Sequence, residues 1–217
     1  MGYLRDEEAI EFLKQSREEL VKLDQLREKY LDNPLDPSPL NEIEDIITRL
    51  RNGLNDRLLD LMKDPKMCLT EKISNPERFI ERNPPIHWSL EFWYVFFRSG
   101  VPDPNGGFHV VIGNPPYVRI QNMRKRDREY VDYLNSFYKD FIYGNYDLAI
   151  PFIARGYLLL REGGLFGYIV TQRWVKEDYG RKLRRFLSEE RCIRRIVDFG
   201  DQMVFPVDAY TMLLFLE

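Results

Sequence analysis

Four consecutive residues, Asn114-Pro115-Pro116-Tyr117, carry groups that can do chemistry together. Each proline fixes its own φ and forces its predecessor out of the helical region, so the turn is rigid and its carbonyls point away from ladder partners. The side-chain carbonyl of Asn114 and the backbone carbonyl of Pro115 can both accept from one amino group. The flat ring of Tyr117 offers a stacking surface beside them. Such a set suits an exocyclic amine on a planar ring. The same four residues also fit a double-proline turn that only ends a strand. No Ser-His-Asp or Cys-His nucleophile system and no Gly-rich phosphate loop lies nearby, which disfavours hydrolysis and phosphoryl transfer. Cys68 and Cys192 match no metal-ligand spacing, and with only His87 and His109 beside them they cannot furnish a zinc quartet. No structural metal is expected.

The elements around the turn must hold it in place. Gly106-Gly107 leads into Phe108-His109-Val110-Val111-Ile112, a β-branched run that reads as a strand ending at Gly113. The turn therefore sits at the strand's carboxyl edge, where open α/β sheets bind their ligands. Helical periodicity follows over residues 126–141 and 147–160, the second helix closing at Gly163-Gly164. A buried strand is predicted at 165–171, an Arg-rich amphipathic helix at 179–190, and strands at 193–199 and 210–216 around a turn at 200–209. This alternation predicts an α/β fold with a largely parallel sheet, and the short last link predicts that the final pair is antiparallel.

Upstream, apolar positions recur at helical spacing over residues 6–31, which predicts one long amphipathic helix. Pro34, Pro37 and Pro39 end it, and a second helix runs to about residue 63 with Ile43, Ile47, Leu50, Leu54, Leu58 and Leu61 on one stripe. Residues 1–65 thus read as an antiparallel helical hairpin. Residues 66–105 form a connecting segment whose aromatic run, 87–97, reads as a strand or short helix plugging a core. Residues 106–217 hold the candidate chemistry.

With 217 residues, 44% of them apolar and 31% charged, the chain is ordinary globular material and neither collagen, disordered nor disulfide-stapled. No apolar run approaches the ~18 residues of a membrane span, and the charged N-terminus is unlike a signal peptide, so a cytoplasmic protein is expected. The net charge of −3 hides an asymmetry: 15 basic and 21 acidic residues up to Tyr117, then 17 and 14. Basic clusters at Arg124-Lys125-Arg126 and Arg181-Lys182 could meet phosphates or be solvated helix faces.

The stretch Gly107-Phe108-His109-Val110-Val111-Ile112-Gly113-Asn114-Pro115-Pro116-Tyr117-Val118 resembles the catalytic strand and loop of DNA adenine N6 amino-methyltransferases. His87-Trp88 and Glu91-Phe92, upstream, look like the corresponding segment of the large type IIG restriction-modification enzymes. Tyr146-Asp147-Leu148, Leu158 to Gly164, Gly167 to Val170, Asp178 to Arg184, Ile196 to Gly200 and Val204-Phe205-Pro206 are similar to the family's later motifs. The resemblance covers roughly residues 84–217; the hairpin resembles only the helical insertions of such enzymes.

The resemblance implies a partial Rossmann-like methyltransferase sheet and methyl transfer from S-adenosylmethionine to the N6 amine of adenine in DNA. It makes Asn114, Pro115 and Tyr117 catalytic, and Tyr117 and Phe205 the rings that hold a flipped adenine. Extruding the base costs a few kcal/mol, of which stacking returns about 1–3 kcal/mol. His109 stands where the family usually has an acid or amide, and Trp93-Tyr94 where Pro-Glu is common. The larger departure is that residues 1–83 contain no Gly-rich cofactor loop. The chain is therefore expected to be the C-terminal half of a methyltransferase domain, whether fragment, truncated frame or split subunit. It should bind the cofactor weakly, need a partner carrying the missing half and a target-recognition domain, and expose an edge at residues 110–112 prone to self-association. The rival readings are a non-catalytic module that kept this fold, and a methyltransferase for protein glutamine or RNA.

Overall fold

The computed structural model describes residues 7–67, 69, 71–202, 204, 205 and 210–217. Cys68, Pro206 and the expected helix start at Asp6 lie outside them. The chain divides into two compact units, one comprising Met1–Thr70 and Ser74–Gly106, the other Glu71–Ile73 and Gly107–Glu217.

In the first unit the expected long helix is two, α1 (Glu7–Gln15) and α2 (Arg17–Asp32). Ser16 makes the break: its amide reaches back only to the Leu13 carbonyl, at 3.1 Å, and its hydroxyl donates to the Phe12 carbonyl. A serine that satisfies a carbonyl with its own side chain competes with the helix ladder. Freed from α2, α1 packs on α3 (Ser38–Lys63), where Gly53 leaves room for the Phe12 ring that a methyl group would displace. Helices α2 and α3 form the antiparallel hairpin. Its buried stripe is Leu20, Leu23 and Leu26 against Ile46, Ile47, Leu50 and Leu54. Ile46 enters the core, while Leu58 and Leu61 are only half-buried, because the stripe drifts as the 26-residue helix turns.

After α4 (Pro76–Arg82), the aromatic run forms two single-turn helices, α5 (Trp88–Glu91) and α6 (Trp93–Phe96), and a small ribbon of β1 (Phe97–Arg98) with β2 (Val101–Pro102). Leu90, Trp93 and Phe97 complete the hairpin's core. Polar contacts fix the segment: Arg51 makes a two-pronged pair with Glu91 at 2.9 and 3.2 Å, His87 meets Asn55 at 2.8 Å, and the Trp93 indole donates to Asp24 at 3.0 Å.

The second unit begins with β3 (Phe108–Gly113), then α7 (Ile120–Arg126), α8 (Arg128–Phe137), α9 (Ala149–Leu158), β4 (Leu160–Thr171), α10 (Arg173–Lys176), α11 (Arg181–Glu189), β5 (Ile193–Asp198) and β6 (Thr211–Leu216). The sheet order is β3-β4-β6-β5. Strands β3 and β4 are parallel, and β6 runs antiparallel to both of its neighbours, so β3, β4 and β5 share one direction and the chain is α/β with a mixed four-stranded sheet. Strand β4 is longer than expected. Residues 161–164 join it because Gly107 and Gly164 let β3 and the start of β4 approach closer than a side chain allows. The expected helix at 126–141 is the shorter α8, and α7 lies ahead of it over residues not expected to be helical; Asp127 divides the two, and its carboxylate caps α8 by accepting from the Tyr130 amide at 2.9 Å.

One sheet face is covered: Gly156 on α9 admits the rings of Phe166 and Tyr168. The opposite face holds Val110, Ile112 and Leu165, which are 55%, 79% and 44% exposed. Strand β3 is the sheet edge. No described helix is long and apolar enough to cross a membrane.

Burial pushes the Asp24 carboxyl above its ordinary 3.8, against the opposing effects of the Trp93 hydrogen bond and Arg27. A carboxyl raised on folding adds stability in its protonated form, fully present below 3.8 and lost as pH rises through the folded value. Asp24→Asn keeps the acceptor for Trp93 without the desolvated charge. It should raise the urea midpoint at neutral pH, with the gain closing as pH falls below that value. A less stable Asn variant at neutral pH would show that the charge is favourable there.

Candidate active site

The turn leaves β3 at Gly113, whose lack of a side chain lets the Tyr168 ring pack against the strand's end. Asn114 is exposed, Pro115 buried, Pro116 exposed and Tyr117 half-buried. Among the described residues no hydrogen bond engages the Asn114 side chain or the Pro115 carbonyl. Both acceptors therefore have no partner among the described residues, at the carboxyl end of the edge strand.

The exit of the turn is pinned. The Val118 amide donates to the Pro116 carbonyl at 3.0 Å, the Ile120 amide to Tyr146 at 2.9 Å, and the Leu148 amide to Val118 at 2.9 Å. Arg119 and Asp147 thus face each other in an isolated antiparallel bridge. Asp147 is 4% exposed, and one of its carboxylate oxygens accepts the Tyr179 hydroxyl at 2.7 Å and the Thr171 hydroxyl at 3.3 Å. Burial and the Asp147 contact push the Tyr179 phenol far up, so it stays protonated and donating. Thr171 ends β4, the strand beside β3. The carboxylate consequently ties the turn's exit, the end of β4 and the segment before α11 into one piece. That segment is itself close-packed: a methyl group on Gly180 would collide with the Trp174 carbonyl oxygen, which accepts from Arg184 at 2.5 Å.

The structure brings Tyr117 and Phe205 together, with ring centroids 6.4 Å apart and planes inclined at 50°. A planar base sandwiched between parallel rings needs about 7 Å, twice the ~3.5 Å contact distance. The rings stand closer than that and are not parallel, so a base between them requires one to swing aside. The Tyr117 hydroxyl is buried without a hydrogen-bond partner among the described residues, and burial raises its pKa.

Asp147, Thr171 and Tyr179 were not singled out as site residues by the sequence. The available signal was Asp147 itself, a lone acid inside the apolar run from Tyr146 to Ile150, since a charge in such a run is buried only if paired. Among the described residues no group of three or more His, Cys, Asp or Glu is placed to hold a metal ion. The chain carries only Gly2 and Gly53 before residue 84, and the described residues before β1 are helical or irregular. The residues present do not fit an S-adenosylmethionine cradle.

Comparison with known proteins supplies the family. The chain is 39% identical over 114 residues to the type II restriction enzyme and methyltransferase RM.Eco57I of Escherichia coli, covering 52% of this chain and 11% of that protein. It is 34% identical over 145 residues to the type II methyltransferase M.BstVI of Geobacillus stearothermophilus, 62% of this chain and 24% of the relative. It is 38% identical over 110 residues to M.XhoI of Xanthomonas vasicola, 48% and 18%. The chain thus spans between about a tenth and a quarter of the length of these relatives. A family model for the Eco57I restriction-modification methylase matches residues 8–205, so it takes in the helices of the first unit as well as β3, β4 and β5 of the sheet. Because that match runs through nearly the whole chain, the chain belongs to the Eco57I restriction-modification methylase family.

Proposed function

We propose that this chain contributes the amine-receiving half of a DNA adenine N6-methyltransferase within a restriction-modification system, built on part of a Rossmann-like methyltransferase sheet. The observation that supports this reading is that the acceptors of Asn114 and Pro115, in the stiff double-proline turn that also carries Tyr117, have no hydrogen-bond partner among the described residues. An exocyclic amine is a poor nucleophile because its lone pair is conjugated into the ring. Accepting both of its hydrogens favours a pyramidal nitrogen and stabilises the positive charge that develops there, which acts on the transition state more than on binding. Tyr117 and Phe205 receive the flipped base, Phe205 moving aside to open the slot. The methyl donor of such enzymes, S-adenosylmethionine, is held by polypeptide beyond the residues described, and the remainder of the methyltransferase, in the same or another chain, also recognises the DNA sequence.

That remainder has a surface to occupy. The free edge of β3 and the apolar face of Val110, Ile112 and Leu165 match a neighbouring strand and its covering helix. Alone, the chain should self-associate as concentration rises in sedimentation. The amides of residues 110–112 that face away from β4 should then become protected from hydrogen exchange. A compact monomer at every concentration, with those amides exchanging freely, contradicts this assignment.

The chemistry is tested in the complete enzyme with methyl-labelled cofactor and adenine-containing DNA, identifying the labelled nucleoside. N6-methyladenine is expected; label on cytosine, RNA or protein glutamine, or none at all, overturns the reading. Asn114→Ala should lower kcat about 10²–10³-fold with little effect on DNA binding. Tyr117→Phe should be nearly silent, since the hydroxyl has no partner among the described residues, whereas Tyr117→Ala should weaken capture of the base by about 1–3 kcal/mol. Equal damage from Phe and Ala would mean that the ring does not stack.

A further inference from the structure

Beside the turn, at the carboxyl ends of β3 and β4, lies a cleft of about 300 Å³ lined by Arg119, Gln121, Tyr143, Asn145, Arg173 and Tyr179, with Asp147, Glu177 and Asp178 also on its wall. We propose that this cleft binds one phosphodiester of the DNA strand that carries the target adenine, next to the flipped nucleotide. The inference rests on the DNA methyltransferase reading and extends it to a backbone site.

The charges sort themselves by their partners. Asp147 is committed to Tyr179 and Thr171, and Asp178 pairs with Arg181 at 3.7 Å, while that guanidinium also lies 3.3 Å over the Tyr143 ring. Neither Arg119 nor Arg173 makes an ion pair among the described residues. Against these two guanidinium groups stand two carboxylates, Glu177 and the buried Asp147, whose neutral hydroxyl partners do not cancel its charge. The cleft is neutral overall, so its two carboxylates oppose the single charge of a phosphodiester less than the several charges of a free nucleoside di- or triphosphate. Guanidinium groups suit phosphate oxygens because their donors come in pairs. The Gln121 and Asn145 amides add neutral donors for the remaining oxygens.

Position supports the same ligand. Arg119 follows Tyr117 by two residues, a chain length of at most about 7 Å, so a phosphate held by Arg119 lies close to the base received by Tyr117. The Arg119 backbone is bridged to Asp147, and Arg173 follows Thr171, a hydroxyl donor to the same carboxylate. Both cationic side chains therefore spring from the tied segments that fix the turn. A backbone contact placed this way sets the strand's register without reading sequence.

The test is the salt dependence of binding of the full chain to a short adenine-containing duplex. Each phosphate contact contributes a slope of about −0.9 in log K against log salt, so removing one reduces by about 3.5-fold the affinity lost between about 50 and 200 mM salt. Arg119→Gln and Arg173→Gln should each show that reduced slope and weaker binding. Glu177→Gln should bind more tightly, and Arg185→Gln, a surface cation paired with Glu189 away from the cleft, should leave the slope unchanged. If Arg119→Gln and Arg173→Gln behave like Arg185→Gln, the cleft is not a phosphate site, although the methyltransferase reading stands. If the wild-type chain binds no DNA while the complete enzyme methylates it, this proposal alone fails. If neither occurs, both fail.

Discussion

The buried Asp147 carboxylate accepts the Tyr179 and Thr171 hydroxyls while its backbone faces Arg119 across an antiparallel bridge. Hydrogen bonds to a charged group contribute about 1.5–3 kcal/mol each, roughly twice the ordinary value, and a buried carboxylate left without them would be costly. The same residue thus holds three separate segments in one arrangement. Two prolines make the turn stiff internally, but stiffness does not aim it. The bridge between residues 118–120 and 146–148 aims it, and the Asp147 side chain holds that bridge against the end of β4 and the segment leading to α11.

Much of this was legible in the sequence because it depended on local chemistry. The strand ending at Gly113, the double-proline turn, the antiparallel final strand and the helical hairpin follow from β-branched runs, proline sterics, a short link and apolar periodicity. The break at Ser16 was not legible, because a serine inside a periodic run is compatible with a continuous helix until its hydroxyl selects the Phe12 carbonyl. The extension of β4 through residues 161–164 was hidden because Gly163-Gly164 reads as a helix stop, yet tertiary approach at Gly107 and Gly164 recruits them into the strand. The placement of Phe205 beside Tyr117, 88 positions earlier, came from family resemblance and not from spacing. Asp147 and Tyr179 are brought together only by the fold.

The site is lopsided in a way that agrees with the chain's family. The acceptors of the turn are unengaged among the described residues, whereas the edge beside them is open and apolar. The charge pattern divides in the same way: the acidic hairpin precedes a second unit with a positive balance.

If Asp147 is what aims the turn, loosening it must loosen the bridge first. Hydrogen exchange at the Ile120 and Leu148 amides, compared between the wild-type chain and Tyr179→Phe, measures this directly. Loss of one charged hydrogen bond should speed both amides by roughly tenfold or more, while the β6 amides of Met212, Leu213 and Leu214 keep their protection. Unchanged exchange at Ile120 and Leu148 would show that the turn is positioned without Asp147 and would contradict the account.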